Sequence, residues 1–306
     1  MKYEDKKQQK YKYFCPKCNS QNLIKRGFRQ TENRGKNQRF SCKDCGLRFV
    51  HDDGFFRMRN NPLKVTSSID MFYRGISTRG VQAHLQSFFP HNSSHMTIYR
   101  WVVRYAKLIS KFTDNLKIQP IEELQIDEME IGSRKSRYNG WFIDSIDTST
   151  RYMVASKFGK SREQKEIKKI LNSAKQKTGN QIQICTSDGY FAYENAVKKV
   201  FGYNNHEKKF NVTHNIVTQT KGEGFNHKIE RMHNSIRHRI KTFRGLHSIN
   251  PSNELMQGYK IYYNFIRKHQ AINKCPYELA TDLKLTPENK WLQLIKLAKG
   301  FKNENN

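Results

Sequence analysis

The run Glu123-Leu-Gln-Ile-Asp127-Glu-Met-Glu-Ile131 sets a carboxylate in the middle of an apolar-flanked, strand-like stretch. Two further acids stand in equally marked settings. Asp188 ends the β-like run Gln183-Ile-Cys-Thr-Ser-Asp188-Gly-Tyr190. Glu230 lies in the basic helical stretch Asn226-His-Lys-Ile-Glu230-Arg-Met-His-Asn-Ser-Ile-Arg237. A carboxylate inside a strand, or surrounded by cations, is costly unless a partner such as a divalent ion compensates it.

Outward from Asp127 the pattern alternates with the period of strands. Residues 123–131, 138–147 and 151–158 read as three consecutive strands separated by the polar turns at 134–137 and 147–150. A helix over 161–177 follows, with Ile167, Ile170, Leu171 and Ala174 as its buried stripe and Gly179-Asn180 as its end. A strand over 181–186 then delivers Asp188, and 190–201 reads as the next helix. Three strands, helix, strand, helix is the order of an α/β, RNase H-like core: an antiparallel meander continuing into parallel crossovers, with a mixed five-stranded sheet. In that order the first strand is central, the fourth lies beside it, and a late helix crosses the sheet edge. Asp127, Asp188 and Glu230 would converge and repel one another when bare. Hard oxygen ligands suit two Mg²⁺ (or Mn²⁺) ions, and such a pair activates an attacking oxygen and stabilises the leaving 3′ oxygen of a phosphodiester.

Composition supports a polyanionic partner. The chain has 306 residues, and 56 Lys plus Arg against 27 Asp plus Glu give +29. Residues 1–115 carry 23 basic and 8 acidic side chains, and residues 116–306 carry 33 and 19, so both parts are cationic. With 12% aromatics in compact motifs, this fits a folded nucleic-acid protein better than a membrane-surface one. No run of 18 apolar residues and no signal-peptide core occurs, which predicts a cytoplasmic, nucleoid-associated protein of a prokaryote, without a membrane partner.

Cys15-Pro-Lys-Cys18 and Cys42-Lys-Asp-Cys45 are separated by 23 residues. Two such knuckles supply the four soft ligands of a tetrahedral structural Zn²⁺ and predict a zinc ribbon over 1–60, behind a basic arm at 1–12. Two unrelated thiol pairs or an iron–sulfur site are the less common uses of this spacing. Residues 61–115 read as three helices, beginning at Thr66, Ser77 and Ser94, with a break at 90–93. Ile98, Trp101, Val102 and Tyr105 recur at helical spacing in the last, and His95, Thr97, Arg100 and Arg104 stand opposite them. This predicts a helix-turn-helix domain whose last helix enters a major groove. An ordinary three-helix bundle with a solvated face has the same periodicity. The boundary falls near Pro120, the core over 116–280, and a terminal helix with its tail over 281–306, with Thr286 as cap and Pro287 at its first position.

These motifs resemble those of the DDE-type insertion-sequence transposases of the retroviral-integrase-like superfamily. The resemblance rests on Ile126-Asp127-Glu128, on Ser187-Asp188-Gly189, and on Asn226-x-x-x-Glu230 followed by Asn234-Ser-Ile-Arg-His-Arg-Ile-Lys241. It extends to Tyr262-Tyr-Asn-Phe-Ile-Arg267, His269 and Cys275-Pro-Tyr-Glu-Leu-Ala280, where Cys275 takes the place of a usual Thr. It covers residues 66–280, and a zinc ribbon is a frequent N-terminal addition. The 41 residues between Asp188 and Glu230 exceed the spacing of the tightest families, which reads as an insertion at 210–224. The resemblance implies an enzyme that binds transposon ends and target DNA, cleaves and transfers strands, and acts as a homodimer or higher homo-oligomer in the synaptic complex. A domesticated DNA-binding regulator and an RNase H-like nuclease are the alternatives.

The neighbouring residues have blander readings. Asp144 and Asp147 read as turn formers rather than rival ligands. Glu128 and Glu130 read as facing away from Asp127 or pairing with Lys or Arg. Glu230 has an alternative pairing with Arg231 or Arg237. Asn226 and Asn234, one turn before and after Glu230, read as holding phosphate or orienting it. His227, His233 and His238 read as phosphate-facing or surface residues. Arg231, Arg237, Arg239, Lys241 and Arg244 form a basic band suited to DNA.

Overall fold

The computed structural model describes residues 13–32, 34–89, 93–132, 140–207, 209–218, 226–243 and 249–301. The basic arm at 1–12, the break at 90–92, the turn at 134–137 and Arg244 lie outside the described residues. The chain begins with a three-stranded antiparallel ribbon: β1 (Leu23–Thr31), β2 (Gly35–Cys42) and β3 (Arg48–Val50). Most of β1 is exposed, and Phe40, Cys15 and Cys42 supply the ribbon's own buried side chains.

Three helices follow, each opened by a side-chain cap. Asn61 accepts from the Leu63 N–H at 2.8 Å and starts α1 (Pro62–Tyr73), with Pro62 in the first turn where its missing N–H costs nothing. That cap places the helix start four residues before the expected Thr66. Ser77 opens α2 (Thr78–Phe88), and Ser94 opens α3 (His95–Thr113). Ile98, Trp101, Val102 and Tyr105 are buried as their spacing requires.

A five-stranded sheet then begins with β4 (Ile121–Ile131), β5 (Gly140–Asp147) and β6 (Met153–Gly159). After these come α4 (Gln164–Lys177), β7 (Ile182–Asp188), α5 (Phe191–Phe201) and the two-residue strands β8 (Tyr203–Asn204) and β9 (Lys209–Phe210). The fifth sheet strand is β10 (Thr213–Val217). The strand order is β10-β7-β4-β5-β6, with β4–β5 and β5–β6 antiparallel and β4–β7 and β7–β10 parallel. This is the mixed five-stranded, RNase H-like α/β arrangement that the element order implied. Part of the stretch read as an insertion is in fact β10. It is short, half-exposed and polar, so it carries little periodicity.

Two helices continue the chain, α6 (His227–Phe243) and α7 (Ile249–Ile261), the second running into a π-helical turn (Tyr262–Ile266). α8 (Tyr277–Ala280) and α9 (Lys290–Gly300) complete it. The cap of α9 is Asn289, not Thr286. Asn289 accepts from the Leu292 N–H at 3.0 Å, whereas the Thr286 N–H is taken by Gln293 Oε1 at 2.9 Å.

The signature Tyr262-Tyr-Asn264 acquires a physical role here. Asn264 donates to the Met153 carbonyl and accepts from the Met153 N–H, both at 2.9 Å. Gln257 donates to the Ser156 carbonyl at 2.9 Å, and Asn253 accepts from the Phe158 N–H at 3.1 Å. Three amide side chains thus satisfy the outer edge of β6, which cannot recruit a further strand.

The helical region is packed onto this core. α3 packs against both α7 and α9. Gly258 of α7 permits the approach: a Cβ there would lie 1.8 Å from the Tyr73 hydroxyl, which donates to the Leu255 carbonyl. At the end of α3, Asp114 accepts from Lys260 at 2.7 Å and Lys177 at 3.0 Å. Burial would raise the Asp114 carboxyl, but the two ammoniums hold it well below the ordinary carboxylate range. Burial and the neighbouring Lys260 push Lys177 down to about 8.

Candidate active site

Parallel pairing brings two of the acids together. β4 and β7 are in register at Gln125 and Thr186, and two residues further each strand reaches its aspartate, Asp127 and Asp188. Beneath them Thr186 donates to Glu123 at 2.7 Å, and Gln125 donates to the same carboxylate at 3.2 Å. Gln125 Oε1 in turn accepts from the Ile229 N–H at 3.2 Å, which ties the first turn of α6 to β4. Odd-numbered residues of β4 therefore face α6.

The third member of the gathered acids is Glu128. Asp127, Glu128 and Asp188 each offer a carboxylate oxygen within 4.8 Å of the others. Glu128 does pair with an arginine, but its carboxylate gathers with Asp127 and Asp188 rather than facing away from them. Arg162 Nη1 lies 2.8 Å from its Oε1, and the Tyr193 hydroxyl donates to its other oxygen. The Arg162 guanidinium is held between the Trp141 and Tyr190 rings, at 4.4 and 4.5 Å from their centroids. Asp188 Oδ1 accepts from the Tyr190 N–H at 3.0 Å, so the α5 turn orients it.

Glu230 lies in the first turn of α6 and is exposed, outside that cluster. α6 packs over β4 and β5, on the face of the sheet rather than at its edge. The α6 side chain that does reach the acids is His233, 2% exposed. Its Nε2 lies 2.7 Å from Asp144 Oδ1, and its Nδ1 lies 3.4 Å from Asp127 Oδ2. Burial pushes the Asp127 carboxyl up to about 7 despite that imidazole. Burial would lower His233, but the Asp144 carboxylate holds it above its ordinary value.

His233 is thus buried rather than phosphate-facing or on the surface, and Asp144 is a fully buried mid-strand residue rather than a turn former. The available signal was the run Trp141-Phe-Ile-Asp144-Ser-Ile146, too apolar for a turn. Asp147 does form the turn, accepting from the N–H groups of Ser149 and Thr150 at 3.0 and 3.3 Å.

Of the remaining candidates, Arg231, Asn234, Arg237 and Lys241 are exposed along α6, and Arg237 donates to Asn234. Arg239 instead donates to the Arg74 carbonyl at the end of α1, and Asn226 is buried. On α3, Arg100 and Arg104 are exposed, while His95 and Thr97 are half-buried, with the Thr97 N–H spent on the Ser94 cap.

In the ribbon the four cysteine sulfurs lie within 4.8 Å of one another, with Cys15–Cys45 and Cys18–Cys42 both at 3.5 Å. A tetrahedral zinc with bonds of about 2.3 Å sets sulfurs about 3.8 Å apart, so the cage fits that ion. The two knuckles are alike: the Asn19 N–H returns to the Cys15 carbonyl and the Gly46 N–H to that of Cys42. Asn19 (φ 59°) and Gly46 (φ 71°) supply the left-handed backbone this needs. Among the described residues no helix is long and apolar enough to cross a membrane.

No curated protein matches the chain at a significant level. Among solved structures it is similar to a chain of the simian T-cell lymphotropic virus intasome in complex with PP2A regulatory subunit B56 gamma. That match has 12% identity and a TM-score of 0.41, over 74% of this chain and 76% of that one. It is also similar to the HTLV-2 integrase catalytic core domain in complex with magnesium, at 11% identity and TM-score 0.37, over 53% and 98%. The Drosophila P element transposase strand transfer complex gives 14% identity and TM-score 0.31, over 58% and 43%. These likenesses are too weak to carry weight. A family model described as a DDE domain matches residues 124–270, the span that holds Asp127, Asp188 and Glu230, so over that span the chain is similar to the DDE domains.

Proposed function

We propose that the chain binds the ends of a mobile DNA element and catalyses divalent-metal-dependent strand cleavage and strand transfer. Asp127, Asp188 and Glu230 are its metal-holding acids. The observation that carries this is the juxtaposition of Asp127, within β4, and Asp188, at the end of the parallel, adjacent β7. Hard divalent ions bind carboxylate oxygens at about 2.0–2.1 Å, so oxygens up to about 4.2 Å apart share one ion, and the cluster needs only a small adjustment. Glu230 comes from the helical turn whose Ile229 N–H is already tied to Gln125, two residues before Asp127. Two Mg²⁺ ions held there would supply activation of an attacking oxygen and stabilisation of the leaving 3′ oxygen.

The chain's own residues do the rest. The Glu128 N–H fixes Asp127 Oδ1 at 2.9 Å, and Tyr190 fixes Asp188. Arg231, Asn234, Arg237 and Lys241 line the approach to the acids with donors for phosphate. Arg100 and Arg104, with His95 and Thr97 nearer the cap, present the helix-turn-helix face to the element end. Cys15, Cys18, Cys42 and Cys45 hold a structural zinc that shapes the ribbon. Synapsis of two ends calls for a homodimer or higher homo-oligomer.

The test is joining of labelled end DNA to a target plasmid in Mg²⁺. Asp127→Asn, Asp188→Asn and Glu230→Gln are each expected to abolish joining by at least about 10³-fold while end binding persists, since the metals contribute several kcal/mol. Normal joining by all three overturns the assignment. Cleavage without joining by the wild type favours an RNase H-like nuclease, and binding without either favours a regulator.

A further inference from the structure

Asp127 and Asp144 stand directly opposite each other on β4 and β5. Like charges at such a pair are destabilising unless something lies between them. His233 of α6 does, 2.7 Å from Asp144 Oδ1 through Nε2 and 3.4 Å from Asp127 Oδ2 through Nδ1. The ring is 2% exposed and Asp144 is fully buried, so neither is a solvated surface group. Asp144 Oδ2 has no hydrogen-bond partner among the described residues. The imidazole is therefore what compensates this carboxylate.

We propose that His233 is a positioning residue for the metal-holding carboxylate Asp127, with Asp144 as the buried anchor that fixes the imidazole ring. The proposal rests on the metal reading given above. A ring bonded at 2.7 Å through one nitrogen cannot swivel, so its other nitrogen stays aimed at Asp127 Oδ2. Asp127 Oδ1 is already held by the Glu128 N–H at 2.9 Å. Both oxygens are thus oriented, and the carboxylate is preorganised for an ion. The same contact docks α6, which carries Glu230 one turn earlier, onto the strand that carries Asp127. A buried histidine that merely fills the core would satisfy Asp144 but would have no effect on how Asp127 takes a cation.

Two amides separate these roles, because each copies one nitrogen of the ring. Asn reaches the position of Nδ1 and keeps a donor toward Asp127. Gln reaches the position of Nε2 and keeps a donor toward Asp144. Mn²⁺ binding to the full chain, with zinc already supplied, is measured directly from the free-ion EPR signal, alongside the melting temperature. The wild type is expected to bind and Asp127→Asn to lose binding. His233→Gln is expected to bind Mn²⁺ about 10–100-fold more weakly, the usual cost of removing a group that orients a ligand. His233→Asn is expected to stay within about threefold of the wild type, even with a lower melting temperature. Equal affinities for the Gln variant and the wild type overturn the positioning role. So does weakening in both variants that follows their melting temperatures. Absence of Mn²⁺ binding in the wild type overturns the metal reading itself, and this inference with it.

Discussion

The cysteine ribbon and the carboxylate centre both gather groups that suit cations, but they do so on different foundations. In the ribbon, β1 is largely exposed and the buried side chains are those of Cys15, Cys42 and Phe40. The four thiols converge where there is almost no apolar core to hold them. In the sheet, Leu124, Ile126 and Met129 flank the acids and are buried to within 1%. There the framework comes first, and the carboxylates are carried on it at an electrostatic cost. A thiolate cage makes its fold, whereas a carboxylate centre depends on one made elsewhere.

The largest expected effect breaks the ribbon alone. A structural zinc contributes on the order of 10 kcal/mol to small thiolate modules. Cys42→Ser should leave the amides of β1–β3 exchanging like an unfolded chain while those of β4, β5 and β7 stay protected, as hydrogen exchange read by mass spectrometry would report. Persistent protection in the ribbon would break the comparison.

A smaller effect, of opposite sign, is expected at the sheet. Burial holds the Asp127 carboxyl at about 7 in the fold, against an ordinary value of 3.8. Between these values the folded state binds the proton more tightly. The stability it confers is complete below about pH 4, falls as pH rises, and is gone above about 7. Asp127→Asn should remove this slope and raise stability at pH 8 by roughly 2–4 kcal/mol in the absence of divalent ions. Urea denaturation at pH 5 and pH 8 measures it, and a variant less stable than the wild type at pH 8 would contradict a site built at the expense of its framework.

The smallest effect concerns Asp114, whose side chain keeps 42% of its surface in water while Lys177 and Lys260 are buried. Removing the charge from a fully buried cluster costs about 3–5 kcal/mol; with this exposure Asp114→Asn should cost on the order of 2 kcal/mol. The carboxyl is held below its ordinary range, so its contribution is present above about pH 4 and lost as pH falls below that. In thermal melts the difference between wild type and variant should therefore be full at pH 7 and shrink progressively as pH falls below about 4. This sharpens the comparison by showing a charge cluster that serves the framework.

Much of the centre was legible in the chain. Asp127 and Asp188 stand at strand positions marked by apolar flanks, and pairing of those strands needs only the order of elements. Glu128 was partly legible: its pairing with a basic side chain is found, but strand alternation gave no sign that its carboxylate gathers with those of Asp127 and Asp188. His233 was not, because a histidine in a run of arginines and lysines carries no sign of which face of α6 is buried. The β10 strand was hidden for a related reason: Thr213-His-Asn-Ile-Val217 is an edge strand with weak alternation, and only its pairing with β7 makes it one.

By itself, then, the sequence determined what local patterning encodes: the two thiol knuckles, the capped helices, the strand order and the acids placed within it. Tertiary structure alone decided which side chains meet across elements. The stacking of α6 on β4 and β5 sets His233 between Asp127 and Asp144, and the run of α7 along β6 converts Asn253, Gln257 and Asn264 into edge caps. Such meetings depend on crossing and register between segments about 90 to 110 residues apart in the chain, and no periodicity within either segment records them.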